Sequence, residues 1–523
     1  MRLALRRKIV SVTELTLPNI RLPFLPRCSL CVALVLIAGL GAVRGEPAYG
    51  QADERLPGVV ARTLKSAGIP HSGVAVVVQE AAAGVPRVSV NAAQSFNPAS
   101  LMKLLTTYAA LELLGPAYTW KTEAWATGNL ADGVLDGDLI LKGGGDPRLT
   151  FEQFWLLLRQ LRARGLREIR GNLVLDRSWF DTTGVIGGNG SDPELIDNQL
   201  LRPYNVGPDS LLLNFKALRL QFVADAERKT VVVTSDPQPA NLDLINLVRP
   251  VSGICGDWRE ALRADVTRPQ APEGNARLVL TGRYTLECGE RIWNIGVMTH
   301  PQYVDGVFRQ LWRELGGSLA GGLREAALPA GARRLAVVES PTLAEIVRDI
   351  NKFSNNVMAR QVFLTLGAQS LADSPPVDGT HSARSADADA AIRTWLAQKD
   401  LRFPELVLEN GSGLSRRERI AADSLTRLLQ AAWKGPLMPE FIASLPLNGS
   451  DGTMRKRLRQ NGIAGQTHIK TGSLDGVKGI AGYVLDRGGK WQIVVLMINH
   501  PNAAAGQAAQ DALLQWVYER GVR

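Results

Sequence analysis

Three short stretches place a hydroxyl beside a cation or an amide: Ser100-Leu101-Met102-Lys103, Ser354-Asn355-Asn356 and Lys470-Thr471-Gly472. In the first, serine and lysine are three positions apart, so on a helix they share one face. Pro98 signals a helix entry just upstream. Ser100 then falls in the first turn, where unpaired N–H groups carry positive partial charge. A serine becomes a nucleophile when an adjacent base takes its proton. A lysine can be that base only when neutral, and burial or a second cation lowers its pKa toward that state. Taken alone, the same spacing also describes a helix cap with a solvated lysine.

The second stretch interrupts a helical pattern over 341–366, and Ser-Asn-Asn is poor helix material. A local conflict of this kind marks either a helix break or a functional site. In the functional reading Ser354 relays a proton and Asn356 holds a substrate amide. In the third stretch Lys470 and Thr471, on a strand, offer a cation and a hydroxyl suited to a terminal carboxylate. Gly472 lets another backbone approach closely, and an edge strand here can pair with an extended peptide. Lys470 would also be the second cation acting on Lys103.

These stretches need elements to carry them. The spacing predicts helices at 59–69 and from Pro98 to Leu114, the latter with Leu101, Leu104, Leu105, Tyr108, Leu111 and Leu114 on its apolar face. Residues 74–92 read as two strands around Ala83-Gly84. From about 120 to 330 short strand-like pieces alternate with Gly, Asp and Pro turns, with helices at 151–164 and 303–316. GGGD at 143–146 lacks a following Gly-Lys-Ser/Thr and reads as a turn. Residues 368–389 read as a loop. The end, from 466, reads as consecutive antiparallel strands with a hairpin turn at Asp486–Gly489, closed by a last helix.

The 523 residues are too many for one small domain. Basic residues at 2, 6, 7, 8, 21 and 27 precede an apolar run at 28–42, the pattern of a secretory signal over 1–52, with cleavage after Gly45 or Ala52. The run is shorter than a membrane span; the alternative, a retained anchor, would leave the protein peripheral to the membrane. Residues 1–52 hold seven Lys/Arg and two Glu, so about half of the net charge of +10 goes with them. The remaining excess is mild and suits an anionic wall polymer nearby. Basic patches interleaved with aromatics are absent, which argues against nucleic acid. With 5 His and 4 Cys, a large metal cluster is not expected, nor is a cofactor. Cys28 and Cys31 fall in the signal. In an exported chain the remaining pair, Cys255 and Cys288, is expected to form a disulfide.

S-x-x-K, S-x-N and K-T-G in this order resemble the set found in penicillin-binding proteins and serine β-lactamases. The chain resembles in particular the class C low-molecular-mass penicillin-binding proteins, the D-alanyl-D-alanine carboxypeptidase/endopeptidases. Four further stretches carry the likeness: 137–150 (GDLILKGGGDPRLT), 409–420 (ENGSGLSRRERI), 445–458 (LPLNGSDGTMRKRL) and 468–484. The resemblance implies an α+β fold, a transpeptidase-like domain with helices around an antiparallel sheet. It would be built from 53–125 and 335–523 and interrupted by a mostly β insert over 126–334. It implies a periplasmic serine peptidase acting on peptidoglycan stems, with β-lactams as covalent inhibitors. Ser100 would be the acylated nucleophile, Lys103 its base, Ser354 and Asn356 the second motif, and Lys470, Thr471 and Gly472 the third. The backbone N–H groups of Ser100 and Ser473 would form the oxyanion hole. Asn355 departs from S-D-N and counts against a class A β-lactamase. The alternatives are a β-lactamase or esterase on the same scaffold, and a non-catalytic wall-binding protein.

Overall fold

The computed structural model describes residues 55–183, 201–268, 274–372 and 382–520. The signal-like segment, with Cys28 and Cys31, lies outside them. The centre is an antiparallel five-stranded sheet. Its strands are β1 (Val74–Glu80), β2 (Pro86–Val90), β3 (Thr467–Leu474), β4 (Val477–Leu485) and β5 (Trp491–Asn499), in the order β2-β1-β5-β4-β3. Residues of β1, β4 and β5 are apolar at consecutive positions because both faces of the sheet are covered. Ala75, Val77, Ala481, Tyr483, Val495 and Met497 face one apolar cluster; Val74, Val76, Ile480, Val494 and Leu496 face another. Each such side chain taken out of water contributes roughly 1.5–3 kcal/mol.

The second cluster is closed by α1 (Gly58–Ser66) and the last helix, α8 (Gln507–Glu519). The first is filled by α2 (Met102–Leu114), α3 (Leu343–Phe353), α4 (Asn356–Ala372), α5 (Ser385–Gln398), α6 (Ala422–Lys434) and α7 (Met438–Ser444). Helix α2 is not amphipathic in effect. Every residue from Met102 to Leu111 is buried, Lys103, Thr106 and Thr107 included. It runs through the middle of the helical layer, so the expected polar face meets protein instead of water. Its polar groups are satisfied locally: Thr107 Oγ1 donates to Lys103 O at 2.7 Å and Thr106 Oγ1 to Gly411 O at 2.6 Å.

The helical pattern over 341–366 resolves into two helices. A capping box, Thr342 with Glu345, starts α3, and Ser354 ends it in the left-handed conformation (φ 56°, ψ 39°). The next helix starts at once, because Asn355 Oδ1 accepts the N–H of Met358 at 3.1 Å. Ser-Asn-Asn is thus the joint of a helix pair.

Residues between β2 and α3 also build a third large apolar cluster, running from Ala124 to Val338. It underlies a five-stranded sheet in the order 323–325, 173–176, 139–143, 121–126, 333–339, several shorter strands, and the helices Phe151–Ala163 and His300–Glu314. Strands 121–126 and 333–339 pair antiparallel, so the chain leaves and returns side by side. Cys255 and Cys288 are joined by a disulfide in this region. The loop expected over 368–389 is narrower: α4 continues to Ala372 and α5 begins at Ser385.

Candidate active site

Ser100 lies in a short 3-10 turn, Ala99–Leu101, that leads into α2. The turn rests on the face of β3 and β4 at a pair of glycines, Gly472 opposite Gly479. A Cβ on Gly472 would come 2.7 Å from Pro98 O, and one on Gly479 would come 2.7 Å from Leu101 Cδ1. This is what the glycine after Lys470-Thr471 does: it lets the serine turn sit down on the sheet. On the other side Gly413 is closer still, its would-be Cβ 1.8 Å from Ala99 O. Asn97 ties the turn down, its Oδ1 accepting from Ala99 N at 2.9 Å and its Nδ2 donating to Ser415 O at 2.8 Å.

Lys103, one helical step on, is fully buried, and its Nζ meets three oxygens: Ser100 Oγ at 2.9 Å, Asn356 Oδ1 at 2.6 Å and the carbonyl of Ser412. The two carbonyl oxygens can only accept. A neutral amine has two N–H bonds and one lone pair, so it donates to both carbonyls and turns its lone pair toward Ser100. The serine hydroxyl then donates to it, the arrangement of a nucleophile and its base.

The electrostatics favour that state. Burial holds Lys103 well below the usual lysine range, with Lys470 and Arg360 pushing the same way and Glu418 opposing. Lys470, also fully buried, is pulled down to about 7 by burial. Its Nζ donates to Ser354 Oγ at 2.8 Å and to Thr471 O at 2.7 Å. The left-handed turn at Ser354 is what swings this hydroxyl toward β3. Thr471 Oγ1 lies at the accessible edge, 2.8 Å from Thr453 Oγ1. Ser473 follows on the same edge strand, exposed.

The structure therefore brings Ser100, Lys103 and Asn356 into direct contact, and Ser354 and Lys470 into another, with Thr471, Gly472 and Ser473 on the strand beside them. Sequence reasoning marked 409–420 only as a stretch carrying the family likeness and gave residues 409–418 no role in the site. Ser412 supplies a carbonyl to Lys103, and Glu418 Oε1 accepts the N–H groups of Glu409, Asn410 and Gly411. The signal was the Gly-Ser-Gly of ENGSG, where only a backbone atom does the work. His468 Nδ1 bonds the carbonyl of Ile442, outside this constellation. Asp451 pairs with Lys352 at 2.7 Å. Asp146 is buried beside Gln361, whose Nε2 donates to Gly145 O at 3.1 Å, and burial raises its carboxyl to about 7. Among the described residues no group of His, Cys, Asp and Glu is arranged to hold a metal, and no helix is long and apolar enough to cross a membrane.

Residues 57–520 match the model of the D-Ala-D-Ala carboxypeptidase 3 (S13) family. A D-alanyl-D-alanine carboxypeptidase of Actinomadura sp. (strain R39) is 28% identical over 455 residues, 84% of this chain and 80% of that protein. The D-alanyl-D-alanine carboxypeptidase DacB of Haemophilus influenzae is 25% identical over 405 residues, 77% of this chain and 80% of its own. The crystal structure of penicillin binding protein 4 from Haemophilus influenzae superposes with a TM-score of 0.72 at 23% identity, over 88% of this chain and 99% of that one, a likeness of fold. The family model spans the described chain nearly from end to end, and this chain belongs to the D-Ala-D-Ala carboxypeptidase 3 (S13) family.

Proposed function

We propose that the protein is a periplasmic serine-type D-Ala-D-Ala carboxypeptidase that trims peptidoglycan stem peptides through an acyl-enzyme on Ser100. The observation that carries the assignment of roles is the triple contact of Lys103 Nζ with Ser100, Asn356 and Ser412. Neutral Lys103 takes the Ser100 proton as Oγ attacks the carbonyl carbon of the penultimate D-Ala. The N–H groups of Ser100 and Ser473 hold the oxyanion. Lys103 hands that proton on through Ser354, itself in contact with Lys470, to the departing D-Ala nitrogen, so the C–N bond breaks and Lys103 is neutral again. Lys470 and Thr471 receive the terminal carboxylate, and Asn356 the stem amide. Water, deprotonated by Lys103, then cleaves the ester and restores Ser100.

A D-Ala–diaminopimelate cross-link presents the same carbonyl, so the same steps give DD-endopeptidase activity. A β-lactam presents a strained amide to the same hydroxyl and is held as a stable ester. Residues 126–334 are an insert in the peptidase domain, its two ends held together by the pairing of 121–126 with 333–339. The signal over 1–52 is removed on export.

The test is labelling with a fluorescent penicillin alongside mass analysis of digests of defined monomeric and cross-linked muropeptides. Wild-type protein is expected to take the label and release D-Ala; Ser100→Ala is expected to do neither. Persistent labelling of Ser100→Ala would place the nucleophile elsewhere. Rapid turnover of the penicilloyl ester would favour a β-lactamase, and wall binding without D-Ala release a non-catalytic protein.

A further inference from the structure

Behind Lys103, away from the substrate side, the core holds two more charges. Arg360 lies one turn after Asn356 on α4, so it sits on the face that meets Lys103. Its side chain is 1% exposed and, among the described residues, makes one hydrogen bond, Nη1 to Val206 O at 3.3 Å, with no partner there for Nε and Nη2. Glu418 is fully buried. Its Oε1 accepts three consecutive N–H groups, from Glu409, Asn410 and Gly411, at 3.2, 3.0 and 3.0 Å. Oε2 has no hydrogen-bond partner among the described residues. Both residues reach Lys103 by a short connected route. Arg360 does so through the helix turn that carries Asn356. Glu418 does so through the loop whose next carbonyl, Ser412 O, accepts from Lys103 Nζ. Asn410 stiffens that loop, accepting from Ser412 N at 3.0 Å and Ser412 Oγ at 2.6 Å.

An ordinary structural pair would bond face to face, since a buried ion pair is worth holding only with good geometry and satisfied lone pairs. Here the carboxylate spends one oxygen on backbone and the guanidinium spends one nitrogen on a carbonyl. What remains is charge in a dry region. Burial raises the Glu418 carboxyl above the usual carboxylate range, and the three N–H groups it accepts pull it back toward the ionised form. Arg360 is lowered by burial only to about 10, so it stays a cation at neutral pH. The other charge acting on Lys103 is Lys470 from β3, and Lys352 of α3 is paired with Asp451. On α2 itself Glu112 is held by Lys399, and beside Glu418 the carboxylate of Glu409 is held by Arg417.

We propose that Arg360 and Glu418 are positioning residues that act on Ser100 through Lys103. Arg360 is a fixed cation that favours the neutral amine. Glu418 is the carboxylate that opposes it while anchoring the Ser412 carbonyl. This rests on the reading of Lys103 as the base for Ser100. The pair brackets Lys103: one charge makes it a better-populated base, the other keeps it basic enough to take a proton.

The test is the acylation rate constant of the purified protein with a fluorescent penicillin, measured against pH. Removing the cation in Arg360→Met is expected to move the acid limb up by about one pH unit, an approximately tenfold loss on the acid side. Removing the anion in Glu418→Gln, which keeps an oxygen for the loop N–H groups, is expected to move it down by about one unit. Arg360→Lys, which keeps the charge, is expected to hold the wild-type limb whatever its plateau rate. A purely structural role would lower plateaus and leave the limbs in place. The inference is overturned if the two neutral variants shift the limb in the same direction, or not at all. Should Arg360→Met not fold by circular dichroism, Glu418→Gln decides it alone: a limb that moves up, or not at all, overturns the inference. Persistent labelling of Ser100→Ala would instead refute the underlying assignment. Lost labelling in Ser100→Ala with unmoved limbs refutes this inference alone.

Discussion

Substituting Gly413 by alanine tests whether the seat of the serine turn positions the nucleophile. Gly413 has φ of 79°, and an added Cβ would lie 1.8 Å from Ala99 O and 2.7 Å from Ser100 N. Ordinary contact begins at 3.4 Å, so the two backbones must separate by about 1.6 Å. Both groups are main chain, and no rotamer can absorb the shift. The left-handed backbone costs alanine about 1–2 kcal/mol. Forced overpacking adds about 1–3 kcal/mol. The larger effect is on chemistry: displacing Ser100 by even half of that separation breaks its 2.9 Å contact with Lys103 Nζ. Misplacing a reacting group by an ångström can cost about 100-fold in rate. The control is Gly165→Ala, at φ 92° with nothing within 4 Å of the added carbon. It is expected to cost about 1–2 kcal/mol by backbone strain alone and to acylate normally. The assays are denaturant unfolding and the rate of labelling by a fluorescent penicillin. A folded Gly413→Ala protein that labels within about threefold of wild type would refute the idea that this close approach sets the position of Ser100.

Further expectations follow from the same geometry. Asn356→Asp puts a carboxylate where an amide oxygen lies 2.6 Å from Lys103 Nζ. It should stabilise the protonated amine by about 1–3 pH units and slow acylation at pH 7 by at least about tenfold, measured as a displaced acid limb. Lys470 has its folded pKa lowered from 10.5 to about 7. Between those values the folded protein has released a proton that the unfolded chain keeps, so stability rises with pH through that window. Lys470→Met should flatten that rise in unfolding curves taken from pH 7 to pH 10, and an unchanged slope would count against a buried neutral lysine. The Cys255–Cys288 bridge closes a separation of 33 residues. Cys255→Ser with Cys288→Ser should cost about 3–4 kcal/mol in the chain-entropy model without altering the acylation rate, read by thermal unfolding and labelling.

Much of the architecture was legible because its signals are local. Consecutive apolar residues at 74–80, 477–485 and 491–499 mark strands covered on both faces, and the turn at Asp486–Gly489 joins the last two. Pro98 and Gly115 bracket α2 to within a few residues. The interruption at Ser354-Asn355-Asn356 was visible as weak helix propensity, and it is a real joint. The helix that looked amphipathic, α2, is buried on every side from Met102 to Leu111, because periodicity reports which residues are apolar and not how many neighbours will arrive.

Residue order alone carries the succession of the three motifs, the elements that bear them, and the residue types available for chemistry. It takes the folded chain to show that Lys103 meets an amide 253 positions later and a carbonyl 309 positions later. The fold likewise decides that Gly472 and Gly413 are seats for the serine turn, and that Arg360 and Glu418 share the dry space behind it. The physical reason is that spacing along a chain encodes only contacts within a helical turn or a strand pair. Burial, which holds both lysines below their ordinary range, is made by segments that lie hundreds of residues apart along the chain.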